Sequence, residues 1–318
     1  MRVIPLCVVL GGWLSMPAFA ADAGADSWLQ RLVKAEEQQS YFGTFVYERN
    51  GSFSSHSVWQ LVQDGAVRER LLQLDGPAAE VVLKGGQVAC ATEELASQVS
   101  DAPPWRRQQL DPAQLSESYD LHMIGESRVA GRPTVAIVVS PKDQHRYGFE
   151  LHLDKETSLP LKSLMLSESG QLLERFQFTQ FSSGPVQPSD IEAGQDCEPV
   201  AISSSSEAKS EAPKWRSEWL PAGFRLLDSN VRPSPASSEP VAWLSYGDGL
   251  ARFSVFLEPL RGAVVEDARS QMGPTVAVSK RITTADGDVM VTVVGEIPLG
   301  TAERVALSMR AGSDQASQ

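Results

Sequence analysis

From residue 27 the apolar positions follow first a helix and then a strand. Trp28, Leu29, Leu32 and Val33 recur on one face at helical spacing, Ser27 is placed to cap the helix, and Gln30 sits where a capping-box partner belongs. At Tyr41 the period changes to two. Phe45 and Tyr47 point one way, and Thr44, Val46 and Glu48 the other, as in a half-buried strand. Asn50-Gly51 predicts a tight hairpin turn, and Asp64-Gly65 predicts a second. A helix beside the first strands of an antiparallel sheet is the plan that the following residues extend.

Short β-rich runs separated by turn residues continue to Ala91, which argues for an antiparallel meander. Thr92 and Asp111-Pro112 open two short helices around a proline-bounded loop that presents Trp105, Arg106 and Arg107. Strands resume at Tyr119 and run to Phe181. Val135, Ile137 and Val139 share a face in one of them. In another, Tyr147, Phe149, Leu151 and Leu153 oppose Glu150, His152 and Asp154. Roughly ten or more strands with few helices predict a strongly curved antiparallel sheet, either closed as a barrel or wrapped around its helices. Residues 182–214 lose all periodicity and are rich in Ser, Pro and Glu, the composition of a flexible linker. A second, smaller α+β domain is expected over 215–310, with a four-stranded sheet, a short helix within Glu266–Met272 and a last helix capped by Thr301. Residues 311–318 read as a disordered tail.

Residues 1–20 read as a signal peptide: Arg2, the apolar run Val3–Leu14, and Ala18-Phe19-Ala20 before the cleavage point. The first large domain then covers 21–181, and the chain is expected to be exported. Losing Arg2 with the leader takes the formal charge from −12 to −13, a balance that repels nucleic acid. The mature chain keeps Cys90 and Cys197. They form either a disulfide closing a loop of about 107 residues or two separate thiols.

Catalytic signals are scarce. His56, His122, His145 and His152 have no metal-helix spacing, and there is no nucleophile elbow, P-loop, dinucleotide fingerprint or C-x-x-C, so neither a metal nor a cofactor is expected. His152 reads as a solvated residue on the polar side of its strand. A non-enzymatic binding protein is the better reading. Phe45, Tyr47, Trp59, Ile137, Phe149, Leu151, Phe176 and Phe178 are assigned to the inner face of the curved sheet, either as packed core or as the wall of a cavity for an acyl chain. Trp105, Arg106 and Arg107 suit its rim. Arg252, Phe253, Phe256 and Arg269 are candidates for gripping an extended peptide between the domains. Phe253 and Phe256 lie on opposite faces of one strand, so at least one of them is expected to be core.

Four segments carry a family resemblance: Phe42–Gly51 (F-G-T-F-V-Y-E-R-N-G), Arg68–Gly76 (R-E-R-L-L-Q-L-D-G), Arg146–Ser163 (R-Y-G-F-E-L-H-L-D-K-E-T-S-L-P-L-K-S) and Tyr246–Leu260 (Y-G-D-G-L-A-R-F-S-V-F-L-E-P-L). The chain closely resembles the RseB/MucB family of periplasmic regulators of the envelope-stress sigma factor, over nearly all of the mature sequence. The resemblance implies a large unclosed antiparallel β-barrel enclosing helices, like the lipoprotein carriers, and a small C-terminal domain. It also implies binding to the periplasmic domain of a membrane anti-sigma factor, which shields that segment from a site-one protease. Release by lipopolysaccharide or lipoprotein acyl chains is implied as well. A homodimer stays open, and a periplasmic lipoprotein or acyl-chain carrier is the alternative reading.

Overall fold

The computed structural model describes residues 24–77, 79–93, 112–200, 215–233, 240–263 and 265–312. The expected signal peptide, the expected rim residues Trp105, Arg106 and Arg107, residues 201–214 and the last six residues lie outside the described residues.

Helix α1 is Ala25–Gln38. It begins two residues before the expected cap, so Ser27 is inside the helix and Gly24 occupies the cap position. Five strands follow: β1 (Tyr41–Arg49), β2 (Ser52–Gln63), β3 (Ala66–Gln73), β4 (Glu80–Lys84) and β5 (Gln87–Ala91). The β1–β2 turn has Asn50 at φ 52° and Gly51 at φ 74°, the left-handed pair that an Asn-Gly turn supplies. After helix α2 (Pro112–Ser118) come β6 (Tyr119–Val129), β7 (Arg132–Pro141), β8 (Gly148–Asp154), β9 (Pro160–Leu166), β10 (Leu172–Ser183) and β11 (Glu198–Pro199).

These eleven strands form one sheet in the order β11-β5-β4-β3-β2-β1-β10-β9-β8-β7-β6. Its two end strands do not pair with each other, so the barrel is unclosed. Its curvature follows from the packing of one helix. Trp28, Leu29 and Leu32 of α1 pack with Val135, Ile137, Leu151 and Leu153 near one end of the strand order. Ala35, two turns on, packs with Phe45, Leu71, Leu161 and Phe178 toward the other. A single helix meets strands from β3 through to β7 in that order only if the sheet curls around it.

The end of α1 is satisfied from the sheet: Gln60 Nε2, buried, donates to the carbonyls of Glu36 and Gln39 at 2.9 Å each. Gln60 and His56 thus point inward on β2, and His56 stacks on Phe45 with ring centroids 5.1 Å apart. Alternation then sends Trp59 to the outer face, where it packs with Leu61, Val82, Val186, Ile191 and the cysteines. Trp59 is therefore not an interior residue. Its apolar character suggested the wrong face, because two polar side chains hold the inner one.

Residues 184–200 also depart from the composition-based reading. They carry a 3₁₀ turn at Pro188–Ile191 and end in β11, which pairs with β5. Cys197 is disulfide-bonded to Cys90, and Gly194 N–H donates to Glu80, whose carboxylate also binds Arg70. Val186 and Ile191 are buried with Leu61, Val82 and Cys90 and help to anchor a stretch that is otherwise polar.

The C-terminal domain has β12 (Trp215–Ser217), β13 (Arg225–Pro233), β14 (Pro240–Gly247), β15 (Arg252–Pro259), β16 (Ala268–Met272), β17 (Thr275–Thr284), β18 (Gly287–Gly295), helix α3 (Leu299–Ser308) and β19 (Met309–Ala311). Six strands, not four, form its main sheet in the order β13-β14-β15-β18-β17-β16, and β12 pairs with β19. The expected helix at Glu266–Met272 is instead edge strand β16, a hairpin partner of β17 across Gly273. Ala302, Val305 and Ala306 of α3 pack on Phe253, Val255, Val278, Val291 and Val293 in a single core.

Candidate functional site at the domain junction

Two polar patches join the domains. In the first, the turn before β8 supplies Asp143, His145, Arg146 and Tyr147. Arg146 is 1% exposed. Its Nη1 donates to Asp248 Oδ2 of the C-terminal domain at 2.7 Å, and its Nε and Nη2 donate to the Asp143 carboxylate at 3.1 and 3.0 Å. Nη2 also reaches the Ala222 carbonyl, and the guanidinium lies over the rings of Tyr119 and Phe224. Asp248, also 1% exposed, accepts the Tyr119 hydroxyl at 3.0 Å and the backbone N–H groups of Leu250 and Ala251 at 2.9 and 2.7 Å. Its own carbonyl accepts Gln114 Nε2 of α2 at 3.0 Å. Such a fully bonded buried pair contributes less to stability than to fixing one geometry, and removing one partner costs about 3–5 kcal/mol.

Around it, Tyr147 Oη donates to the Ile297 carbonyl at 3.2 Å, and His145 Nδ1 lies 3.0 Å from Thr301 Oγ1 with its ring edge-on to Trp219. In the second patch, Arg49 at the end of β1 donates to Glu296 Oε1 at 2.9 Å and to Thr275 Oγ1. Tyr47 Oη donates to Glu174 at 2.7 Å beside it. All three junction tyrosines hold their protons more tightly than usual. Burial and Glu296 push Tyr147 up to about 12, and burial and Asp248 raise Tyr119. Burial, then Glu174, raises Tyr47.

A cavity flanks each patch. One, of about 450 Å³, is bordered by Ala113, Gln114 and Glu117 of α2 and by Gly223, Phe224 and Arg225. The other, of about 410 Å³, lies among Glu48, Asn50, Gly51, Gln171–Leu173, Gln271 and Gly273. None of the proposed lipid-contacting residues borders either cavity.

Seven of those residues do share the inner face. Phe45, Ile137, Leu151 and Phe178 are buried core, while Tyr47, Phe149 and Phe176 are half-buried against it. The peptide candidates do not converge. Phe253 is core, stacked on Tyr246 at 5.2 Å. Phe256 lies on the opposite face of β15, paired with Trp243. Arg269 on β16 pairs with Glu303 of α3 at 3.6 Å, three strands from Arg252. Arg146, Tyr119, Asp248 and Leu250 were not singled out as site residues from the sequence. The G-D-G run at 247–249 has the composition of an ordinary hairpin turn.

His152 is buried rather than solvated. Its Nδ1 lies 2.6 Å from Ser127 Oγ, and its Nε2 lies 2.6 Å from Glu150. The order Ser–His–Glu imitates a nucleophilic triad. Ser127 stands on edge strand β6, and His152 and Glu150 both stand on β8, two positions away in the sheet. Among the described residues no cluster of His, Cys, Asp and Glu is arranged to hold a metal ion.

The family model described as MucB/RseB N-terminal domain matches residues 24–202, and the MucB/RseB C-terminal domain model matches 209–310. The sigma factor AlgU regulatory protein MucB of Pseudomonas aeruginosa is 59% identical over 312 residues, 98% of each chain. The sigma-E factor regulatory protein RseB of Escherichia coli is 26% identical over 317 residues, again 98% of each. Among solved structures, the P. aeruginosa MucA/MucB complex superposes with a TM-score of 0.82 at 59% identity, covering 91% of this chain and 99% of that one. MucB by itself, at 58% identity, covers 90% and 98% with a TM-score of 0.68. The chain belongs to the MucB/RseB family.

Proposed function

We propose that this protein is a non-enzymatic periplasmic regulator of an envelope-stress sigma factor of the AlgU kind. It binds the periplasmic segment of a membrane anti-sigma factor of the MucA kind and shields it from the first proteolytic cut, so the sigma factor stays sequestered. The observation that carries this reading is the arrangement of the two domains. They sit together as they do in MucB with MucA bound, over nine-tenths of the chain, held by the polar junction described above. Lipid-like amphiphiles, lipopolysaccharide or lipoprotein acyl chains, favour a second arrangement of lower affinity for the segment and so release it.

The test is a protection assay: the segment, its site-one protease, and the purified chain with and without lipopolysaccharide. The chain slows cleavage, and amphiphile restores it. Unchanged cleavage in the presence of saturating protein would overturn the reading. A lipid carrier would instead hand an acyl chain to an acceptor without altering cleavage.

A further inference from the structure

Residues 184–200 form a strap across the outside of the N-terminal sheet. The strap leaves β10 at Ser183 and ends in β11, which stands six places from β10 in the strand order, beyond β1 to β5. At about 4.8 Å per strand it spans roughly 29 Å along the arc. Its middle is well held. Val186 and Ile191 are buried with Leu61 and Val82. Arg70 donates to the Asp190 carbonyl at 3.3 Å, and the Gly194 N–H donates to Glu80 at 3.1 Å. Its end is held differently. β11 is two residues long, and one of them, Pro199, has no N–H to give to β5. The Val200 N–H reaches the Ala89 carbonyl at 3.3 Å. What fastens this end is the Cys90–Cys197 disulfide. Cys90 is buried in the outer cluster, whereas Cys197 is half-buried between the exposed Asp196 and Glu198.

We propose that this disulfide is a redox switch: a dithiol that reduces it frees residues 192–200, leaves β5 as the open edge of the sheet and disarms the regulator. The proposal rests on the functional reading above and gives it a second input, the oxidising capacity of the compartment. A thiolate of the dithiol attacks the Cys197 sulfur, and Cys90 leaves and takes a proton. The second thiol of the reductant then displaces Cys197, so two electrons and two protons pass to the protein and the reductant ends as a disulfide. The carboxylates of Asp196 and Glu198 repel an anionic thiol such as glutathione, which favours an uncharged or cationic dithiol.

Two consequences follow from the loss of the crosslink. The outward N–H and C=O groups of β5, covered by β11, turn to water or to another strand. The bond also closes a loop of 107 residues, and losing it raises the open population of the N-terminal domain by about a thousandfold. Arg49, Tyr119 and Arg146 of the junction all stand on that domain, so opening it takes the junction with it.

The experiment uses the mature chain in buffers of reduced and oxidised dithiothreitol, an uncharged dithiol, with the thiol state read by alkylation and mass. Two quantities are followed: protection of a labelled anti-sigma segment from its site-one protease, and cutting of the strap at Glu192 and Glu198 by a glutamate-specific protease. Cleavage of the segment alone at each poise is the baseline. Where the free thiols appear, strap cutting is expected to accelerate at least tenfold, and the concentration giving half-protection to rise at least tenfold. Reoxidation is expected to restore both. Cys90→Ala/Cys197→Ala is expected to behave as the reduced protein at every poise. A reduced protein that protects like the oxidised one overturns the proposal, and so does protection that reoxidation fails to restore. If the double variant does not fold, the reduced and reoxidised wild type decides alone. If the oxidised protein itself does not shield the segment, the functional reading fails. Strap cutting then decides the switch, and an unchanged rate overturns it.

Discussion

The interior of the N-terminal sheet and the domain junction are built by opposite means. The interior is apolar and shape-filled: Leu29, Leu32, Ile137 and Leu153 are sealed from solvent, and the two inward polar groups on β2 serve α1 and Phe45. The junction is charged and loosely packed. A buried ion pair, a half-buried one and several single hydrogen bonds hold it, with a cavity on each side. A core of the first kind gives up stability in large steps when atoms are removed. An interface of the second kind, small and polar, is where relative domain motion is expected. The difference teaches that the fold and the domain contact are held by different chemistries, which meet at Tyr119, with its ring in the interior cluster and its hydroxyl on Asp248.

Perturbations can break or sharpen that division. The largest expected effect is on the outer clamp of the N-terminal domain. Replacing Cys90 and Cys197 by alanine opens a crosslink spanning 107 residues and should cost about 4–5 kcal/mol of that domain's unfolding free energy, measured by urea titration. The C-terminal domain, with its own core, should melt unchanged. Next, Phe45→Ala in the interior should cost about 3–5 kcal/mol, again confined to the N-terminal transition.

Alkali should attack the junction instead. The Tyr147 hydroxyl ordinarily ionises near 10.0 and is pushed up to about 12 by burial and Glu296. Once the pH passes 10 the separated state gives up that proton first. The stability this contact contributes is therefore complete below pH 10 and lost as the pH rises through 12. Small-angle scattering should show the molecule extending over that window, and Tyr147→Phe should remove part of the transition.

Acid should act, more weakly, on the interior. Burial lowers the His56 pKa below its ordinary 6.5. As the pH falls below 6.5 the unfolded chain takes up a proton that the folded chain refuses, and N-terminal stability declines. His56→Gln should flatten that decline in thermal melts across pH 7 to 5.

Local patterning made much of the fold legible. Helix α1, the period-two run of β1 and the Asn50-Gly51 and Asp64-Gly65 turns are set by neighbours in the chain, and both turns show the left-handed pairs their residues favour. Where the structure departs, a distant partner decided. Glu266–Met272 has no strong period of its own and becomes a strand because β17 is there to pair with it. Trp59 faces outward because α1 needs Gln60 to satisfy its last carbonyls. His152 is buried by Ser127 and Glu150, one on a strand two positions away in the sheet. The junction was the least legible part. Arg146 and Asp248 are 102 residues apart, each lies in an ordinary turn, and only the tertiary fold makes them a pair.

The most direct test of the account is reciprocity of linkage. The affinity of the anti-sigma segment is measured by calorimetry with and without saturating monophosphoryl lipid A, and the affinity of lipid A with and without the segment. If segment and amphiphile favour different arrangements of the two domains, each ligand weakens the other by the same factor, at least tenfold. Two affinities that do not respond to each other would contradict it.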